Sequence, residues 1–238
     1  QGIPVMVTRA GQRSLPDFSW SYEPPEVVSV TPSEGISTSG GLVVVQGSNL
    51  GTRGQVLIPG VAVTSTSWDH DTIAAVVGPG EGAGLQLSVD VSLQRSDGVS
   101  ISYAPPTVVS WPKVGPTAGT ASAVVLGHDF GLAQPRLTLR RLAASGLETL
   151  NCTLRSWNHT SLVADLPSGT GAGWGLVVSA ANQESAPASF TFMVPVVESL
   201  EANSSAGFPT SGGVLVRVTG SNLGSSHASL RLRAAGDA

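Results

Sequence analysis

The chain has 238 residues and a formal net charge of −4, with 12% charged residues, 29 glycines and 16 prolines. The slight acidity gives no electrostatic footprint for nucleic acid, and Arg140-Arg141 is the only adjacent basic pair. No apolar run approaches the roughly 18 residues of a membrane span, and Gly plus Pro stay below the roughly 25–30% that marks low complexity.

Residues 1–22 close in Phe18-Ser19-Trp20-Ser21-Tyr22 ahead of Pro24-Pro25, as Val99 to Tyr103 stand ahead of Pro105-Pro106. They read as the last strands of a unit whose beginning is absent. From Pro24 onward, short valine-rich runs predict strands near Val27–Val30, Gly41–Gln46, Gln55–Ile58, Ala62–Ser65, Thr72–Val77, Leu85–Leu93 and Val99–Tyr103. Alternation is plain in Leu85-Gln86-Leu87-Ser88-Val89-Asp90-Val91, where successive side chains face opposite ways. No window supports a long amphipathic helix. Leu137 to Leu150 is the only helix-tolerant stretch, and Gly146 interrupts it.

The pattern then recurs. Gly47-Ser48-Asn49-Leu50-Gly51 returns as Gly220 to Gly224, with a degenerate copy at Gly127-His128-Asp129-Phe130-Gly131. Ser21-Tyr22-x-Pro24-Pro25-x-Val27-Val28-Ser29 returns as Ser102 to Ser110, and Val196-Val197-Glu198-Ser199 opens a third copy. Trp68-x-His70 returns as Trp157-x-His159, and Gly80-x-Gly82-Ala83-Gly84 as Gly169 to Gly173, both displaced by the same number of positions. Self-similarity at a fixed period is the mark of a repeat array. The interval from Gly131 to Trp157 exceeds that from Gly51 to Trp68, which predicts an insertion around Leu137 to Leu150 in a surface hairpin.

Four segments follow: 1–22, the last strands of one unit; 23–104 and 105–195, complete units; and 196–238, the first strands of another. Head-to-tail completion of one fragment by the other would still lack a Trp strand and its Gly-rich turn, so the expectation is a window of a longer tandem array.

These motifs, in this order, resemble the IPT/TIG domain, an early-set immunoglobulin-like sandwich, over nearly the whole chain. The middle unit departs at Thr117-Ala118-Gly119-Thr120 and at Asp129-Phe130. The resemblance implies an all-β fold of tandem immunoglobulin-like sandwiches in a linear rod. The residues agree with it. Asn49 suits a left-handed turn position with Leu50 tucked beneath, as do Asn222 and Leu223. The proline pairs suit stiff junctions running into an edge strand. Trp68 and Trp157 are expected to be core or sub-core anchors.

Three sequons, Asn151-Cys152-Thr153, Asn158-His159-Thr160 and Asn203-Ser204-Ser205, predict N-linked glycans on Asn158 first, then Asn151 and Asn203. Cys152 is the only cysteine. It is expected to be buried and inert, or else paired outside this sequence. Asp69-His70-Asp71 looks like a metal or acid–base cluster, but neighbours on an extended segment alternate faces and Asn158-His159-Thr160 keeps only the His, so no metal or cofactor is expected. The four histidines, His70, His128, His159 and His227, fall mainly at equivalent turns of different units. Gly78 to Gly84 lacks the Lys-Ser/Thr of a phosphate loop, and no serine sits in a nucleophile elbow.

The expected function is non-catalytic: a glycosylated extracellular rod, fibre or appendage component whose partners are neighbouring copies or repeats. The alternative is the ectodomain stalk of a cell-surface receptor or adhesion protein, a setting that IPT/TIG resemblance also implies. Neither nucleic acid nor direct membrane insertion enters either reading.

Overall fold

A computed structural model describes residues 2–16, 18–202, 213–224 and 229–230. Among these residues every regular element is a strand. The chain divides into two compact units. The first is 1–105 together with Gly131–Ala133 and Ala180–Gln183, and the second takes the remainder.

The first unit opens with two small ribbons, β1 (Ile3–Val5) with β4 (Phe18–Trp20) and β2 (Thr8–Arg9) with β3 (Gln12–Arg13). A sandwich follows. Its strands are β5 (Glu26–Thr31), β6 (Gly41–Ser48), β7 (Gln55–Leu57), β8 (Val63–Trp68), β9 (Thr72–Val77), β10 (Leu85–Val91), β11 (Gln94–Arg95) and β12 (Val99–Ile101). One sheet has the order β5-β6-β9-β8; in the other, β10 is flanked by β12, β11 and β7. Alternation sends one face of each sheet inward. Val43, Val45, Ile73, Ala75 and Val77 thereby meet Leu87, Val89, Ile101 and Tyr103 in one core.

A second sandwich repeats this plan with β13 (Thr107–Ser110), β14 (Val114–Gly115), β15 (Thr120–His128), β16 (Arg136–Ala143), β17 (Gly146–Asn151), β18 (Thr153–Trp157), β19 (Ser161–Leu166), β20 (Trp174–Ala180), β21 (Gln183–Glu184) and β22 (Ala188–Phe192). Its sheets run β13-β15-β19-β18 and β14-β22-β20-β16-β17, with β21 on β20. Val125, Phe130, Leu139, Leu162, Leu176 and Phe190 fill its core. The stretch Leu137 to Leu150, tolerant of helix by propensity, is the β16–β17 hairpin. Leu137 and Leu139 are fully buried on its inner face. A last antiparallel pair, β23 (Val196–Ala202) with β24 (Val216–Ser221), closes the described chain.

The predicted strands and the observed ones agree closely, with two corrections. The run Leu85–Leu93 stops at Val91, because Ser92 and Leu93 both take positive φ (51° and 69°) in the two-residue turn to β11. Paired left-handed residues match the strand twist of a tight hairpin, and Leu93 at the tip is exposed. The last strand ends at Ile101, and Tyr103 instead forms a lone bridge with Ile36 while its hydroxyl donates to the Gly78 carbonyl at 2.8 Å.

The three opening pairs share one irregularity. β5–β6 shifts register between Val27 and Ser29, β13–β15 between Val108 and Ser110, and β23–β24 between Val197 and Ser199. At the partner position stands a glycine each time. A Cβ on Gly47, Gly127 or Gly220 would fall on the carbonyl oxygen of Glu26, Thr107 or Val196.

Candidate functional site

The Gly-Ser-Asn-Leu-Gly phrase forms the turn that its residues predict. Asn49, Asp129 and Asn222 have φ of 56°, 59° and 56°, and Gly51, Gly131 and Gly224 follow them in the same region. Leu50 and Phe130 are fully buried beneath the turn. Their N–H groups donate to the carbonyls of His70 (3.0 Å) and His159 (3.1 Å), so these histidine positions brace the turn through their backbone.

The turn after β8 begins at Asp69. Its Oδ1 accepts the N–H groups of Asp71 (3.0 Å) and Thr72 (2.9 Å), which hold its carboxyl below the usual range. Asn158 occupies the same place after β18. Its Oδ1 accepts the N–H of Thr160 (2.9 Å), the Thr160 hydroxyl (3.2 Å) and the N–H of Ser161 (2.8 Å). With one end of the amide held by three donors, Nδ2 is left on the opposite edge of an exposed side chain. Among the described residues nothing bonds Nδ2, and this is the atom a glycan would use.

Asn151 lies differently. It ends β17, paired with Thr138, on the outward face of that strand. Cys152, half-buried between β17 and β18, donates its N–H to the Leu137 carbonyl at 3.0 Å. Burial pushes its thiol up to about 12. Asn203 lies outside the described residues. Among those residues no group of three or more His, Cys, Asp or Glu is placed to hold a metal ion.

The tryptophans do not behave alike. Trp68 is half-buried against the first core, with Nε1 donating to the Leu50 carbonyl at 2.8 Å. Its ring passes Gly54 so closely that a Cβ there would stand 2.8 Å from Cζ2. Trp157, expected to anchor the second core, is instead 39% exposed. By the ladders Gln55 faces Asp90 and Arg136 faces Ser179, so the counterpart of Gly54 in the second sandwich is Pro135, which lacks the open space of a glycine.

One constellation is invisible in the motifs. Ser96 accepts the Val89 N–H through its hydroxyl, Ser185 does so for Val178, and Ser14 for Val7. Its only trace in the sequence is one serine at the same distance beyond each tight hairpin turn.

Two four-strand-based sheets closed on one core, entered by a bulged strand and locked by a glycine–asparagine turn, define an immunoglobulin-like sandwich. The IPT/TIG domain family matches residues 25–103, and the first sandwich is an IPT/TIG domain. Among solved structures, the chain is similar to the plexin A4 extracellular region, domains 1 to 8 (15% identity, TM-score 0.32, covering 71% of this chain and 18% of that one). It is also similar to the surface glycan-binding protein PbSGBP-B from Prevotella bryantii (15% identity, TM-score 0.43, 71% and 42%) and to the bacterial integrin-binding protein invasin (10% identity, TM-score 0.26, 90% and 52%). The chain thus spans 18%, 42% and 52% of these three structures' lengths.

Proposed function

We propose that the chain is a non-catalytic, N-glycosylated stretch of extracellular or cell-surface repeats, serving as a building element of a rod, fibre or appendage. In this reading segments 1–22, 23–104, 105–195 and 196–238 are successive copies of one unit. The supporting observation is the Asn158 turn. Its Oδ1 is engaged by Thr160 and Ser161 while Nδ2 is left exposed. That arrangement suits attack by Nδ2 on C1 of a lipid-pyrophosphate-linked oligosaccharide: the N–C1 bond forms, the amide loses a proton and the lipid pyrophosphate leaves.

The residues most suggestive of chemistry are occupied by architecture, which favours a structural role. Asp69 holds its own turn, and the buried hydroxyls of Ser96 and Ser185 hold hairpins.

Electron microscopy of native material together with intact-glycopeptide mass spectrometry tests this. Ordered filaments with sugar on Asn158 are the expected result. Unmodified asparagines in the native protein would overturn the glycosylated, extracellular part. Isolated rods carrying a bulky domain at one end would replace the fibre with a receptor stalk.

A further inference from the structure

We propose that the indole of Trp157 is the landing face for the first N-acetylglucosamine of a glycan on Asn158, so that the second sandwich covers with sugar what the first covers with its own chain. The inference rests on Asn158 being a glycan acceptor, and it adds a specific protein contact for that sugar.

Two differences between equivalent turns coincide. The first concerns the ring. Trp68 is seated by the Leu50 carbonyl and by the space at Gly54. The second sandwich has Pro135 at the position equivalent to Gly54, and its Trp157 is 39% exposed, with an Nε1 that donates to no described residue. The second concerns the turn itself. Asp69-His70-Asp71 in the first sandwich becomes Asn158-His159-Thr160 in the second, so the sequon arises only where the tryptophan is uncovered.

The chemistry fits. Asn158 directly follows Trp157, at the point where β18 gives way to its turn. The donors from Thr160 and Ser161 fix the amide, which limits where the first pyranose can go. A pyranose presents a face of C–H groups, and the negative face of an indole attracts such polarised hydrogens as it attracts cations. Water leaving the two apolar faces adds to the gain. Unlike a free ligand, a tethered sugar forms this contact without the translational cost of association.

The test compares protein secreted by eukaryotic cells with the same sequence made in bacteria, for the wild type, Trp157→Ala and Trp157→Phe. Glycopeptide mass spectrometry first establishes occupancy of Asn158. With Asn158 occupied, the wild type should melt roughly 2–4 °C above its unglycosylated form. The increment should vanish in Trp157→Ala and largely persist in Trp157→Phe. Each variant is compared with its own unglycosylated form, so any intrinsic destabilisation cancels. An undiminished increment in occupied Trp157→Ala overturns the stacking contact and leaves the acceptor reading intact. An unoccupied Asn158 in the secreted wild type overturns both.

Discussion

The Ser96 hydroxyl accepts the N–H of Val89 at 2.9 Å, and the N–H of Ser96 donates to the Val89 carbonyl at 2.9 Å. One residue therefore satisfies both backbone groups of a fully buried valine at the point where the β10–β11 hairpin runs out of partners. The arrangement returns at Ser185 with Val178 (3.0 and 2.9 Å) and at Ser14 with Val7 (3.0 and 2.9 Å). Three copies of a side-chain-to-backbone bracket are harder to obtain by chance than three similar strands.

Replacing Ser96 or Ser185 by Ala should cost about 1–3 kcal/mol, because a buried valine N–H loses its acceptor. Ser14→Ala should cost much less, since its ribbon is exposed and water can take the hydroxyl's place. Denaturant titrations of the three variants check the ranking.

The glycine that opens each turn phrase carries a sharper constraint. Gly47→Ala and Gly127→Ala would each drive a methyl onto a strand carbonyl, a clash with backbone that no rotamer relieves. We expect a loss of about 3 kcal/mol or more, at or beyond the upper end for overpacking. Gly35→Ala is the contrast: its φ of 73° is unfavourable for alanine but open space surrounds it, so about 1–2 kcal/mol is expected. Thermal melts that failed to separate Gly35 from Gly47 and Gly127 would refute the steric account.

Much of this architecture is legible in the residues. Period-two alternation marks β10, and the turn phrase marks Asn49 and Leu50, because both signals are local. What escaped depends on comparison between copies. Leu93 continues the apolar pattern of β10, but it is equivalent to Asn182, whose left-handed φ of 65° a turn-former advertises openly. Trp157 repeats Trp68 in sequence, yet it is more exposed, and the accompanying exchange of Gly54 for Pro135 is read from the strand ladders. The serine bracket involves a bond across a hairpin, which no single run of residues encodes.

The two tryptophans should therefore respond unequally to substitution. Trp68→Phe loses the bond to the Leu50 carbonyl and contacts with the core rim, and should cost about 1 kcal/mol or more. In unglycosylated protein, Trp157→Phe should stay within about 0.5 kcal/mol of the wild type, as exposed positions do. Equal losses measured by equilibrium unfolding would restore Trp157 as an anchor.

Acid should weaken the fold through three carboxylates. Asp69 is held low by the N–H groups of Asp71 and Thr72, Asp165 by Arg155 and the Ser122 N–H, and Glu184 by Arg140 and Ser179. Each folded value lies below the unfolded one. The stabilisation is therefore whole above the unfolded values near 4 and is lost as pH falls through the folded ones. Asp69→Asn keeps an acceptor oxygen in the turn, as Asn158 does, so neutral stability should hold while the acid dependence becomes shallower. Unfolding free energies across pH 2–7 should show the difference; an unchanged slope would mean that Asp69 contributes nothing to it.

Cys152 provides a prediction in the opposite direction of pH. Burial raises its thiol to about 12, against roughly 8.5 in an unfolded chain. The folded value is the higher, so the associated stability is whole below about 8.5 and is lost as pH rises through about 12. Only the thiolate attacks disulfides. At pH 8 the folded protein should thus react with an aromatic disulfide reagent on the order of 1,000-fold more slowly than the denatured chain, following the difference in thiolate fraction. Moderate denaturant should accelerate labelling in step with unfolding. Rapid stoichiometric labelling under native conditions would mean that the corner between β17 and β18 opens independently of the core, and that Cys152 is a reactive surface thiol.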